Sequence, residues 1–217
     1  MEWAVLGLAI FFLIVTYIVV QGTRAAMAWR KAAAAGDVKV IRDIVEDALN
    51  GWRSMKRPRE VSPDVWRGIQ SMRLVEVGSD FVRVSCQAEG DYKLVKGRWF
   101  EQTSPLQEGM GITVQALEML LYELPHLTTS RVQVDAYTTF REAGTATRRG
   151  CILSTEATRD AAREVDWDEW TAAQIVEALG GRYELDDQAR PVPIEVAEPT
   201  RPEAETAEAS TATSVEK

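Results

Sequence analysis

Four residues have the types and the spacing for metal-assisted hydrolysis. Asp80 stands upstream, and Glu89, Asp91 and Lys93 follow within the run EGDYK. An acid-x-Lys pair behind an earlier aspartate is the skeleton of a Mg²⁺-dependent nuclease site. There the carboxylates hold the metal and the lysine stabilises the charge that develops on the phosphate. The same residues also have a plainer origin. Glu-Gly-Asp is ordinary hairpin-turn chemistry, because Gly takes positive φ and Asp bonds its own backbone. A turn explains the motif without a metal. Hydrolysis is therefore the alternative, and the primary expectation is a chain with no cofactor, no metal and no catalytic residues.

The remaining nucleophiles point the same way. Cys86 falls on the inward face of a strand-like run, where a small apolar side chain is common. Cys151 follows Arg148 and Arg149, whose charges would lower a thiol pKa, so it is the more reactive candidate. Neither has a CxxC partner. His126, the single histidine, follows Pro125 at a helix end. No nucleophile and orienting acid stand beside it, as a catalytic His requires. One His and two Cys cannot supply a four-ligand zinc site within one chain, and two Cys are too few for a disulfide framework. GMG and LGG lack the strand-loop-helix setting and the Lys of a phosphate loop. Trp52, Trp66, Trp99, Trp167 and Trp170 are expected to pack in the core with the indole N–H bonded at its edge. The net charge of −8 over 217 residues argues against a nucleic-acid partner, since phosphate binding needs a positive field.

Positioning begins with the first helix. Trp3 to Val20 carries no charge, close to the ~20 apolar residues that cross a bilayer. Trp3 and Tyr17 lie towards its ends and Trp29 follows, as in an interfacial aromatic belt. A secretory signal would need a basic n-region, and Met1-Glu2 has none. Ala26-Met27-Ala28 is the alternative, a cleavage site, but a retained anchor fits better. Arg24, Arg30 and Lys31 follow the run, and basic flanks stay cytoplasmic. The N-terminus is then outside and the domain cytoplasmic at the cell membrane. Ala4, Gly7 and Ala9 offer a close-approach face without GxxxG spacing, which leaves a homo-oligomer as an option. Arg53, Lys56, Arg57 and Arg59 form a second basic group. With Arg24, Trp29, Arg30 and Lys31 they are expected at the membrane surface, at about 1 kcal/mol per well-placed base.

The fold class read from the pattern is α+β. An N-terminal transmembrane helix and a helical stalk precede an antiparallel β-meander and hairpin sheet, packed on a central amphipathic helix. The expected divisions are an anchor at 1–22, a juxtamembrane stalk and basic linker at 23–58, an α+β domain at 59–196 and a disordered acidic tail at 197–217. Within the stalk, Asp37 is a plausible N-cap. Val38, Ile41, Val45, Ala48 and Trp52 recur at helical spacing. AAAAGDVKVIRDIVEDALN has the look of one ankyrin helix pair, but lacks the Thr-Pro-Leu-His element and a second copy. The segment also resembles the opening helix of Tim44-like and NTF2-like domains, over too few residues to imply a function.

Ser62-Pro63 starts a short helix. The period then changes to 2, and an antiparallel meander is expected from Leu74 to Thr103 with Val82, Val84, Cys86 and Ala88 on one face. Ser104-Pro105 opens the central helix, with Leu106, Met110, Val114, Leu117, Leu121 and Leu124 as its stripe. RVQVDAYTTFRE alternates, with Val132, Val134, Ala136 and Phe140 inward and Arg131, Gln133, Asp135 and Arg141 outward. CILSTEAT returns as its partner. DWDEWTAAQIVEALGG is a helix stopped at Gly180, and RYEL pairs with VPIEV. From Glu198 onward too few apolar residues remain to offset ordering entropy.

These elements suit a single-pass, membrane-anchored cytoplasmic interaction, scaffold or assembly module, acting by tethering. Its partners would be the bilayer and a membrane or cytoplasmic protein. The rivals are the hydrolase above and a small-ligand sensor with its pocket between the sheet and the Leu106–Leu124 helix.

Overall fold

The computed structural model describes residues 2–124, 129–141 and 147–196, and the side chains of all of these except 2–10, 25, 26, 28–30, 95, 99 and 141. In chain order the elements are α1 (Glu2–Ala34), α2 (Val38–Ser54), α3 (Pro63–Gln70), β1 (Arg73–Val77), β2 (Phe81–Gln87), β3 (Asp91–Val95), β4 (Arg98–Thr103) and α4 (Pro105–Glu118). They continue with β5 (Arg131–Arg141), β6 (Thr147–Thr158), α5 (Arg159–Arg163), α6 (Ala172–Ala178), β7 (Glu184–Leu185) and β8 (Pro191–Val192). The fold is α+β. His126 and the tail from residue 197 lie outside the described residues.

α1 runs unbroken through the expected boundary at residue 22. Its described apolar side chains, from Phe11 to Val20, are exposed. Among the described residues no helix is long and apolar enough to cross a membrane. Side chains are described for ten residues of the apolar run, 11–20, half of what a span of ~20 requires.

The stalk needs correction. α2 starts where Asp37 accepts hydrogen bonds from Lys39 N and Val40 N. It then buries Ile41, Val45, Leu49 and Trp52 in the same core as the sheet. Residues 38–54 therefore belong to the domain, because their 3.6-residue stripe has an apolar surface to cover. Two of the four bases expected at the membrane surface here, Arg53 in the last turn of α2 and Arg57 after it, bond local carbonyls. Arg53 donates to Met72 O and Asn50 Oδ1, and Arg57 donates to Val61 O.

The antiparallel meander is the second correction. β1 and β2 are antiparallel, but β2 takes β5 as its other neighbour, and that pair is parallel. β5 and β6 are antiparallel, so the sheet is mixed, in the order β1-β2-β5-β6. β3 and β4 leave it as a separate two-stranded ribbon. Burial gives the reason. β2 is covered on both faces, with Val82, Val84 and Cys86 on one and Arg83 and Ser85 on the other. A strand covered on both faces belongs in the sheet interior. Parallel pairing then needs a long crossover, which the ribbon and α4 provide.

α4 is the central helix, as its stripe predicts. Leu106, Met110, Leu117 and Leu121 are buried, Val114 and Leu124 are partly so, and Ile112 and Ala116 widen the stripe. It lies on the face of the sheet that carries Val82, Val84, Val132, Val134 and Ala136. Gly109 permits the close approach: a Cβ there would sit 3.3 Å from Ala136 Cβ. The helix widens into a π-helical turn, Met119–Glu123, before Leu124 leaves helical geometry at ψ 107°. Pro125 follows, and a residue preceding proline is pushed out of the helical region.

Candidate functional site

Strand alternation gives the sheet a second face, turned away from α4. Here lie Arg83 and Ser85 of β2, Asp135 and Tyr137 of β5, and Arg149 and Cys151 of β6, the last paired with Tyr137 across the ladder. The face carries a polar centre. Asp135, expected to point outward into solvent, is 0% exposed. Its Oδ2 accepts from Arg83 Nε at 2.7 Å, and its Oδ1 accepts from Ser154 Oγ at 2.7 Å and Gln133 Nε2 at 3.0 Å. A buried charge persists when it is paired and hydrogen-bonded on its remaining lone pairs, and Asp135 meets both conditions.

Above this centre opens a cleft of about 990 Å³. Its floor is Arg83, Tyr137 and Cys151, and its rim is Arg148 and Arg149 on one side and Glu76 on the other. The Arg149 guanidinium lies 4.4 Å from the Tyr137 ring centroid, a cation–π distance. The far wall is the segment from Pro193 to Val196. It is held to β6 where Ile194 N donates to Cys151 O at 2.8 Å. One oxygen of Glu76, Oε2, is buried without a hydrogen-bond partner among the described residues. The geometry suits recognition, because guanidinium groups and an aromatic face bind anionic and planar groups.

The thiol chemistry expected of Cys151 is a further correction. Burial, followed by the charge of Asp135, pushes its pKa up to about 12, against the lowering effect of the Leu153 backbone and of Arg83 and Arg182. Arg149 stacks on Tyr137 instead of activating the sulfur. Cys86 is raised as well, again chiefly by burial. Both thiols are free, buried and protonated near neutrality, so neither is nucleophilic. In the native chain, a water-soluble maleimide at neutral pH should leave both unmodified over minutes, and denaturant should expose both. Rapid native labelling of Cys151 would contradict this assignment.

The candidate hydrolytic residues do not converge. Asp80 precedes β2, where it accepts from Ser130 Oγ and lies 3.8 Å from Arg131. Glu89 follows the other end of β2, about 20 Å away by the length of that strand. Asp91 opens β3 and Lys93 lies within it, exposed. Among the described residues no group of three His, Cys, Asp or Glu could hold a metal ion. Glu89 lines a second cleft with Tyr92, Thr138, Phe140 and Arg190. The region between the sheet and α4, expected to hold a sensor pocket, is filled by Ile112, Leu117, Val84, Val134 and Ile152 at 0% exposure.

The tryptophans divide. Trp167 Nε1 donates to Ala162 O at 3.0 Å, but Trp66 Nε1 is buried without a partner. Compared with protein-family models, curated proteins and solved structures, the chain matches none.

Proposed function

We propose that this protein is a membrane-anchored interaction module, held at the bilayer by α1 and binding a partner through its folded domain. The observation that carries the reading is the exposure of α1. Its large apolar side chains from Phe11 to Val20 are 39–70% exposed, and they continue an uncharged run that starts at Trp3. Exposed apolar surface of that extent needs an apolar environment, and lipid supplies one. Arg24 and Lys31 beyond the run are exposed, which supports placing the domain on the cytoplasmic side. The arginine- and tyrosine-lined cleft gives the domain a surface for an anionic group of a partner.

The chain should sediment with membranes, resist an alkaline carbonate wash and be released by detergent. Deletion of residues 3–20 should move it to the aqueous fraction. A reporter active only outside the cytoplasm, fused after Lys217, should be silent. Release of the intact chain by carbonate would overturn the anchor, and an active reporter would overturn the orientation.

A further inference from the structure

The ribbon β3–β4 stands apart from the main sheet, and at its base Tyr92 and Glu101 line the second cleft with Thr138 and Phe140. Among the described residues it makes no extended contact with another helix or strand, and an isolated two-stranded hairpin is marginally stable in water. Its apolar side chains lie on both faces. In the ladder Lys93 pairs with Phe100 and Leu94 with Trp99, so Leu94 and Phe100 fall on opposite sides. They are 54% and 53% exposed. The tip is a two-residue turn, with Lys96 at φ 50° and Gly97 at φ 80°, the tight connection that matches strand twist. From Tyr92 to Phe100 the run YKLVKGRWF holds three cations, Lys93, Lys96 and Arg98, and no acid, in a chain of net charge −8. All three cations are exposed.

We propose that the β3–β4 ribbon inserts its tip into the headgroup region of an anionic lipid bilayer. Two observations select this occupant. A single flat partner covers one face of a ribbon, and apolar side chains on both faces are covered together by a medium that surrounds it. Aromatic rings with interleaved bases are suited to the interface, where the rings sit at headgroup level and bases meet anionic lipid. A second copy of the ribbon would bring cations against cations. A nucleic-acid strand lies along one face of the ribbon and would leave the apolar side chain of the other face in water.

The proposal rests on the membrane reading above for the presence of a bilayer. The α1–α2 junction and the ribbon stand at opposite ends of β2, since Gly36 lies against Ser79, before that strand, and β3 follows its far end. The ribbon is thus separated from the anchor's junction by the length of β2, and the bilayer proposed for it is an apposed one.

Its test uses the full chain in nanodiscs. The buried thiols of Cys86 and Cys151 leave an introduced surface cysteine as the labelled site. An environment-sensitive fluorophore is placed at Leu94→Cys, at Ile14→Cys as the anchor report, and at Leu185→Cys as the aqueous reference. Quenching is read with spin-labelled lipid, carried either in the nanodisc or in added vesicles. With phosphatidylserine in the added vesicles, the label at position 94 should be quenched from the vesicles and the label at 185 from neither source; quenching at 94 from the nanodisc lipid alone would overturn the apposed-bilayer proposal. Neutral phosphatidylcholine should give little quenching at 94. Each of Lys93→Gln, Lys96→Gln and Arg98→Gln should weaken the effect by roughly fivefold. Quenching at 14 without any at 94 would overturn the ribbon proposal and leave the anchor standing. Absence of quenching at 14 would overturn the anchor. A response at 94 to a single-stranded oligonucleotide, with none to anionic lipid, would assign the ribbon to nucleic acid and overturn the proposal.

Discussion

Asp135→Ala should destabilise the domain by about 3–5 kcal/mol, the range seen when one partner of a buried ion pair is removed. Asp135 is fully buried, and Arg83 is nearly so. The substitution removes the carboxylate from Arg83 Nε and at once withdraws an acceptor from Ser154 Oγ and Gln133 Nε2. The guanidinium then loses the carboxylate that its Nε bonds in a low-dielectric site. Asp135→Asn should fall between wild type and alanine, because the amide retains an oxygen for Ser154 but carries no charge. Replacing both partners, Arg83→Met with Asp135→Leu, should recover much of the loss, since an apolar pair of similar volume needs no desolvation of charge. Chemical denaturation of the full chain in mild detergent reads all three. A loss below about 1 kcal/mol for Asp135→Ala would mean that the pair is open to water. The cleft rests on this pair, so the denatured fraction should be scored before any binding defect is assigned to position 135.

Ile112→Ala should cost about 2–5 kcal/mol, the transfer and cavity terms of a buried aliphatic residue. Ile112 is 0% exposed where α3 crosses α4. The informative experiment adds Gly68→Ala. A Cβ at Gly68 would overlap Ile112 Cδ1 and Cγ1, and Ile112 is β-branched on a helix, with one strongly preferred χ1. Alone, Gly68→Ala should cost about 1–3 kcal/mol by overpacking. In the Ile112→Ala background the added methyl occupies vacated space, and its cost should vanish or change sign. The coupling between the two positions is the quantity to measure. Additive losses would show that α3 and α4 separate to absorb the methyl.

The readings that held are those whose signals are local. Asp37, Ser62 and Ser104 cap helices as their positions imply, because a cap bonds an N–H two or three residues away. The stripe of α4 and the alternation of β2 and β5 were visible for the same reason. Val82, Val84, Cys86 and Ala88 do share a buried face. The π-helical turn at Met119 had no signal in the sequence beyond Pro125.

The readings that failed concern which surfaces meet. Period 2 in β2 and in the ribbon is the same pattern, yet one strand is central and the other is outside the sheet. Asp135 alternates as an outward residue, and it is outward with respect to α4. Only the arrival of Arg83, 52 residues earlier, turns that outward side into a buried polar centre. The arginines before Cys151 suggested a low thiol pKa, but chain proximity does not say where a guanidinium points, and Arg149 turns to Tyr137.

By itself, then, the sequence determined the uncharged N-terminal run, the helix starts, the apolar stripes and the scarcity of His and Cys, all set by composition or by neighbours a few residues apart. The tertiary structure decided the parallel pairing of β2 with β5, the inclusion of α2 in the core, the isolation of the ribbon and the position of the cleft. Those outcomes depend on which apolar faces remain uncovered once the local elements exist, and strands some fifty residues apart settle that by packing.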